Sequence, residues 1–180
     1  MKIFISWSGD VSKAAALALR DAFGRIFQGV DPWVSSEDID KGSEWFAEVL
    51  GVLEDSRFAI LCLTPQNLAA PWLLFEAGAI AGKLGTHATS TPAATSLPGS
   101  GRGKAIPVKL APLMIGCNSD DLPDPLKKFQ GTLFEKEEVR KLFSTVNDSL
   151  GDRRIDLPLF QAAFDGTWLQ LDGTVRTALA

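Results

Sequence analysis

The chain has 180 residues, 46% hydrophobic and 22% charged, which is enough for one domain with a real core and excludes a disordered tail. Its net charge of -4 does not favour binding to nucleic acid or to an anionic membrane, so we expect neither as a partner. Two cysteines, Cys62 and Cys117, lack metal-ligand spacing and indicate a reducing compartment, so a cytoplasmic location is expected.

The first part of the chain alternates apolar runs with amphipathic stretches. Residues 2–6 predict a buried strand, and residues 11–27 have apolar positions at helical spacing. Residues 30–35 predict a second strand, near a sheet edge because it contains a proline. A polar loop at 36–43 then precedes a second amphipathic helix, expected to end near Glu54.

The second part continues this alternation with strands at 57–64, 105–110 and 132–134, the last at a sheet edge. Residues 85–104 are biased towards Thr, Ser, Ala, Pro and Gly, so we expect a flexible insertion loop there. Helices are expected at about 71–83, 126–129, 137–150 and 157–171. The alternation predicts an α/β domain over 1–180, a parallel sheet covered by helices on both faces.

The sequence lacks the residues that several kinds of catalytic and metal site require. The one histidine, His87, lies in the expected flexible loop, and there is no Cys/His cluster, so we expect no metal site and no Ser or Cys triad. Neither a P-loop nor a G-x-G-x-x-G motif is present. The chain therefore lacks the phosphate-binding loops that triphosphate hydrolysis and Rossmann-type hydride transfer require. The first and third strands end without the acidic residues of a phosphoacceptor receiver domain.

Glu76 is the candidate reacting group, because it is a carboxylate inside the apolar, helix-forming run 70–80. Trp72 lies four residues earlier, so ring and carboxylate share one helix face. The preceding strand would deliver this helix to the carboxyl edge of the sheet, where open α/β folds bind ligands. The alternative is a helix whose only charge faces water.

A lone glutamate beside aromatic and hydroxyl residues suits cleavage of an N-glycosidic bond whose leaving group is already good. A carboxylate can hold ribose hydroxyls and stabilise an oxocarbenium-like transition state, and nicotinamide leaving the ribose of NAD is such a reaction. Trp7, Trp33, Trp45 and Trp72 are candidates to stack on a flat base, with core packing as the alternative for each.

These residues resemble the TIR domains, named for Toll and interleukin receptors, and within them the prokaryotic NAD-cleaving type. The resemblance rests on the opening run 3–8, on the stretch 36–42 where the family has its BB loop, and on Trp72 and Glu76, which match its W-x-x-x-E arrangement. It implies a flavodoxin-like three-layer sandwich around a five-stranded parallel sheet.

The resemblance also implies residue roles. Glu76 matches the catalytic glutamate, the first strand's end matches the ribose and nicotinamide pocket, and 38–43 matches the loop that gates it. With the tryptophans, the expected substrate-binding set is Phe4, Ser6, Trp7, Ser8, Trp33, Asp38, Lys41, Trp45 and Trp72.

The implied activity is cleavage of NAD+ to nicotinamide and ADP-ribose or a cyclic or variant ADP-ribose, with NAD+ as substrate and no cofactor. Such domains act when assembled with other TIR domains, as homo-oligomers or filaments, and bacterial members serve in antiphage defence. Two alternatives remain open: a non-catalytic TIR adaptor module, and a nucleoside deoxyribosyltransferase-like enzyme, which shares the architecture and a catalytic glutamate.

Overall fold

The computed structural model describes residues 1–34, 52, 55–70 and 108–180. The predicted helix 43–54, apart from Val52, the predicted helix at 71–83 and the loop at 85–104 lie outside these residues. The described strands are Lys2–Ser6 (β1), Asp31–Val34 (β2), Ser56–Leu63 (β3), Lys109–Met114 (β4) and Thr132–Leu133 (β5). The described helices are Asp10–Ile26 (α1), Asp124–Lys127 (α2), Lys136–Asp148 (α3) and Leu157–Leu179 (α4), with 3₁₀ turns at Ser119–Asp121 and Gly151–Arg153.

The five strands form one parallel sheet in the order β2-β1-β3-β4-β5, which confirms the predicted α/β class. The central strands β1 and β3 are buried on both faces, as their continuous apolar sequences require. Helices α1, α3 and α4 cover one face, and α2 packs through Leu126 on the other. The proline-containing β2 lies at one edge and the short β5 at the other, both as predicted.

The fourth strand is displaced from its prediction, because it runs from Lys109 to Met114 rather than over 105–110. The sequence interpretation stopped short of Pro112, a residue that usually interrupts a sheet. Flanking hydrogen bonds show why the proline is tolerated. Ile115 N–H donates to Leu63 O on the β3 side (2.8 Å), and Met114 O accepts from Phe134 N–H on the β5 side (2.8 Å).

Because successive residues of a parallel strand bond alternately to either side, the nitrogen of Pro112 faces the β5 side. Pairing with β5 begins only one residue later, where Leu113 is opposite Thr132. The missing N–H of the proline therefore removes no bond from the sheet.

The last helix is longer than predicted, since α4 continues past Leu171 to Leu179. Val175, one turn beyond Leu171, is fully buried and extends the contact with the rest of the fold. The rings of Phe160, Phe164 and Trp168 follow one another along α4, as their spacing predicted. None of the helices that the structure describes is long and apolar enough to cross a membrane.

Candidate functional site

The carboxyl ends of β1 and β3 lie side by side, with Ser6 opposite Leu61 in the register of the sheet. Both strand ends carry buried hydroxyl residues, since Ser6 is 0% and Thr64 is 1% exposed. Open α/β sheets bind ligands at this edge. Ser6, a predicted site residue, therefore lies at this edge with its side chain buried.

Asn67 ties these two strand ends together. Its Oδ1 accepts from Thr64 N–H (2.8 Å), while its Nδ2 donates to Cys62 O and to Ser8 O (3.0 Å each). The side chain is only 3% exposed, so these bonds are shielded from water. One amide thus fixes the loop after β1 relative to the turn after β3.

Ser8 takes part through its backbone. Its N–H donates to Ser12 Oγ (2.9 Å), and its carbonyl accepts from Asn67. Hydrogen bonds thus hold both the N–H and the carbonyl of Ser8, and they fix the loop between β1 and α1. Gly9 follows with φ of 86°, a left-handed conformation that glycine adopts without strain and that turns the chain into α1.

The predicted aromatic residues divide between the two faces of the sheet. Phe4 and Trp33 are opposite each other on β1 and β2, and their rings stack at 5.3 Å between centroids with 18° between planes. Strand alternation sends Trp7 to the other face, where it packs with Ile3 and Ile5. The structure brings Phe4 and Trp33 together and places Trp7 apart from them.

Trp7 has an unusual environment for a buried indole. It is 3% exposed, and Lys13 Nζ lies 4.7 Å from its ring centroid, a cation–π geometry. Its Nε1 is buried and has no hydrogen-bond partner among the described residues. A buried donor without a partner is costly and rare in native structures, so Nε1 of Trp7 needs an explanation.

The buried thiols are not activated. Cys62 lies in β3, and burial raises the pKa of its thiol to about 12. Burial also raises the pKa of Cys117, whose Sγ approaches Leu63 O (3.7 Å). Because the thiolate is the reactive form, both side chains are inert as nucleophiles at neutral pH.

Asn67 was not singled out from the sequence, although its position was readable. An Asn in a turn directly after a strand often bonds to nearby backbone groups. The other predicted site residues, Asp38, Lys41, Trp45, Trp72 and Glu76, lie outside the described residues. Ala70, whose N–H donates to Asn67 O (2.9 Å), is the last described residue before Trp72.

One comparison with known proteins identifies a family. A family model described as "TIR domain" matches residues 3–143, well over half of the chain. No curated protein matches the chain. The matched region begins in β1 and ends within α3, so it contains the strand ends described above and also Trp72 and Glu76. The chain belongs to the TIR domain family.

Proposed function

We propose that this TIR domain cleaves the bond between nicotinamide and ribose in NAD+, with Glu76 as the catalytic carboxylate. The observation that carries the proposal is the W-x-x-x-E spacing of Trp72 and Glu76 inside the matched region, nine and thirteen residues after β3 ends at Leu63. An adaptor module has no need of this arrangement.

Cleavage of this bond requires the protein to supply one negative charge and no acid. The bond from ribose C1′ to the pyridinium nitrogen breaks, and its electron pair leaves with neutral nicotinamide, so no acid is needed. Glu76 would hold ribose hydroxyls and stabilise the positive charge that develops at C1′. Water then adds to C1′ and releases one proton, giving ADP-ribose, while an internal nucleophile gives a cyclic or variant form.

The described edge of the sheet supports this proposal. Asn67 fixes the ends of β1 and β3 through three hydrogen bonds, so the floor beneath a ligand is rigid. Ser6, at the end of β1, is buried on the same face of the sheet as the stacked pair Phe4 and Trp33. A nicotinamide or adenine ring suits an aromatic neighbour.

The experiment is incubation of concentrated protein with NAD+, followed by chromatography and mass detection of nicotinamide and each ADP-ribose product. Glu76→Gln keeps the shape and loses the charge, so we expect at least about a 100-fold slower release. Glu137→Gln is the matched control, since Glu137 is an exposed glutamate of α3 paired with Arg140. Release by Glu76→Gln at the parent rate removes Glu76 from the mechanism, and silence from all three proteins favours the adaptor.

We further propose that activity depends on assembly with other copies through the loop at 36–42, in a role in bacterial antiphage defence. Charge reversal at Asp38 and Lys41 is then expected to lower the rate of NAD+ cleavage by weakening assembly. Light scattering checks this directly. A fall in the rate with unchanged assembly contradicts this part of the proposal.

A further inference from the structure

The last turn of α4 reaches the carboxyl edge of the sheet. Leu179, the last residue of the helix, lies against Gly116 in the turn that follows β4, since a Cβ built on Gly116 would be 3.3 Å from Leu179 Cδ2. The same Cβ would be 3.9 Å from Cδ of Pro65, which lies in the turn that follows β3. Leu179 and Pro65 therefore flank the same glycine, and α4 ends beside both turns.

The backbone at Gly116 is shaped for this contact. Its φ is 71°, in the left-handed region that glycine adopts without strain. Because glycine has no Cβ, a methyl group of Leu179 can approach the backbone of the turn closely. Leu179 is 41% exposed, so more than half of its surface is covered, and Val175, one turn earlier in α4, is fully buried. The end of α4 is thus packed against the fold as far as Leu179.

The turns after β3 and β4 are joined by contacts to one carbonyl. Leu63 O, at the end of β3, accepts from Ile115 N–H (2.8 Å), and Cys117 Sγ lies 3.7 Å from the same oxygen. Ile115 and Cys117 are the two neighbours of Gly116 in the sequence. A side chain that holds Gly116 in place therefore also restrains the end of β3.

The turn after β3 leads to the proposed catalytic carboxylate. Within this turn Asn67 N–H donates to Thr64 O (3.0 Å), and Ala70 N–H donates to Asn67 O (2.9 Å). Trp72 follows two residues after Ala70, and Glu76 follows four residues after Trp72. The position of this turn therefore sets the point from which the chain continues to Glu76.

We propose that Leu179 is a positioning residue for NAD+ cleavage: its contact with Gly116 and Pro65 holds the turn after β3, and through that turn it positions Glu76. The inference rests on the proposed function, because that function assigns the catalytic role to Glu76. Leu179 acts through the turn and does not touch the substrate. Helix α4 lies beyond residues 3–143, so this contact comes from a part of the chain that the family model does not match.

Hydrogen exchange tests whether Leu179 holds the turn. In Leu179→Ala, exchange at the amides of Asn67 and Ala70 should be about five- to tenfold faster than in the parent protein, because the turn opens more often. The amide of Phe27, which bonds to Phe23 O at the end of α1, should keep its parent rate. Leu169→Ala is the matched control, since it shortens an 81% exposed leucine of α4.

A specific effect on the turn is distinguished from a general loss of stability by these amides. Parent rates at Asn67 and Ala70 in Leu179→Ala overturn the proposal. Equal acceleration at Phe27, or an equal effect of Leu169→Ala, overturns it as well. Leu179→Met keeps a flexible apolar side chain of similar length, so it should restore slow exchange at Asn67 and Ala70.

The rate of NAD+ cleavage tests whether the contact serves catalysis. In Leu179→Ala, kcat should fall about five- to tenfold while KM stays within about twofold of the parent value, because Glu76 is displaced and the substrate-binding residues are kept. Leu179→Met should recover most of this loss, and Leu169→Ala should not lower kcat. A parent kcat in Leu179→Ala overturns the positioning role. If the parent protein itself releases no nicotinamide, the proposed function fails, and the exchange rates alone then decide whether Leu179 holds the turn.

Discussion

The face of the sheet under α1, α3 and α4 and the carboxyl edge of β1 and β3 are ordered by opposite means. On the covered face the rings of Phe23 and Phe143 stack at 4.1 Å with 6° between planes. At the edge, the amide of Asn67 makes three hydrogen bonds to backbone groups. Apolar packing orders the covered face. Hydrogen bonds between a buried amide and backbone groups order the edge.

Trp7 lies where these two regions meet. Its ring packs in the apolar cluster with Ile5, and its Nε1 is buried without a partner among the described residues. The comparison thus predicts that stability depends most on the rings, less on the hydrogen bonds of the edge, and least on Trp7.

The largest effect is expected for Phe143→Ala. Phe143 is fully buried and also contacts the ring of Phe164 edge-on at 5.5 Å, so its removal leaves a cavity that neighbouring rings cannot fill. We expect the free energy of unfolding to fall by about 3 to 5 kcal/mol in urea denaturation. Leu159→Ala, an exposed apolar residue, is the control. A loss below about 1 kcal/mol for Phe143→Ala contradicts a core centred on these rings.

Asn67→Ala should lower the free energy of unfolding by about 1 to 3 kcal/mol, since it removes the side-chain partner of the buried Thr64 N–H and Cys62 carbonyl. Hydrogen exchange at the amide of Thr64 should accelerate, because this N–H donates to Asn67. Protection equal to that of the parent protein would show that the two strand ends do not depend on Asn67.

Cys62 makes stability depend on alkaline pH. Burial raises the pKa of its thiol to about 12, so the thiol is neutral in both states below about pH 8.5 and its contribution is complete there. Above that pH only the unfolded chain ionises. We expect a loss of about 1 to 2 kcal/mol by about pH 10, which Cys62→Ala should lack. Urea denaturation of both proteins at each pH measures the free energy of unfolding. If this free energy falls equally with pH in both proteins, the Cys62 thiol is not the cause.

The smallest effect is expected for Trp7→Phe, which removes a buried donor and a little ring volume together. These changes oppose each other, so the free energy of unfolding should stay within about 1 kcal/mol of the parent value. Thermal denaturation followed by circular dichroism measures this. A loss of more than about 2 kcal/mol would mean that Nε1 makes a bond that stabilises the fold.

The sequence predicted the sheet and most of its elements, because apolar periodicity reports burial directly. It ended the fourth strand at Leu110, whereas β4 continues through Pro112 to Met114. Pro112 is acceptable there because the neighbouring strand has not yet begun, and that is a property of the assembled sheet. It ended α4 early, because Val175 becomes a core residue only through its contacts with other helices.

The sequence predicted that the candidate site combines a glutamate with aromatic and hydroxyl residues at the carboxyl edge of the sheet. The order of the strands confirms that β1 and β3 end together. The sequence interpretation did not separate Trp7 from Phe4, although the odd separation of three residues along an extended chain puts their side chains on opposite faces. It also missed Asn67, whose bonds to Thr64 and Cys62 are local and were readable, whereas its bond to Ser8 joins residues distant in the sequence.

The most direct test of this account is whether NAD+ binds at the carboxyl edge of β1 and β3. Heteronuclear NMR of the Glu76→Gln protein, which should leave the substrate intact, measures this residue by residue. We expect shifts at the backbone amides within 6–8 and 64–67 and at the indole N–H of Trp7, with the amides of α4 unchanged. Shifts confined to α3 and α4, or none at saturating NAD+, would contradict the account.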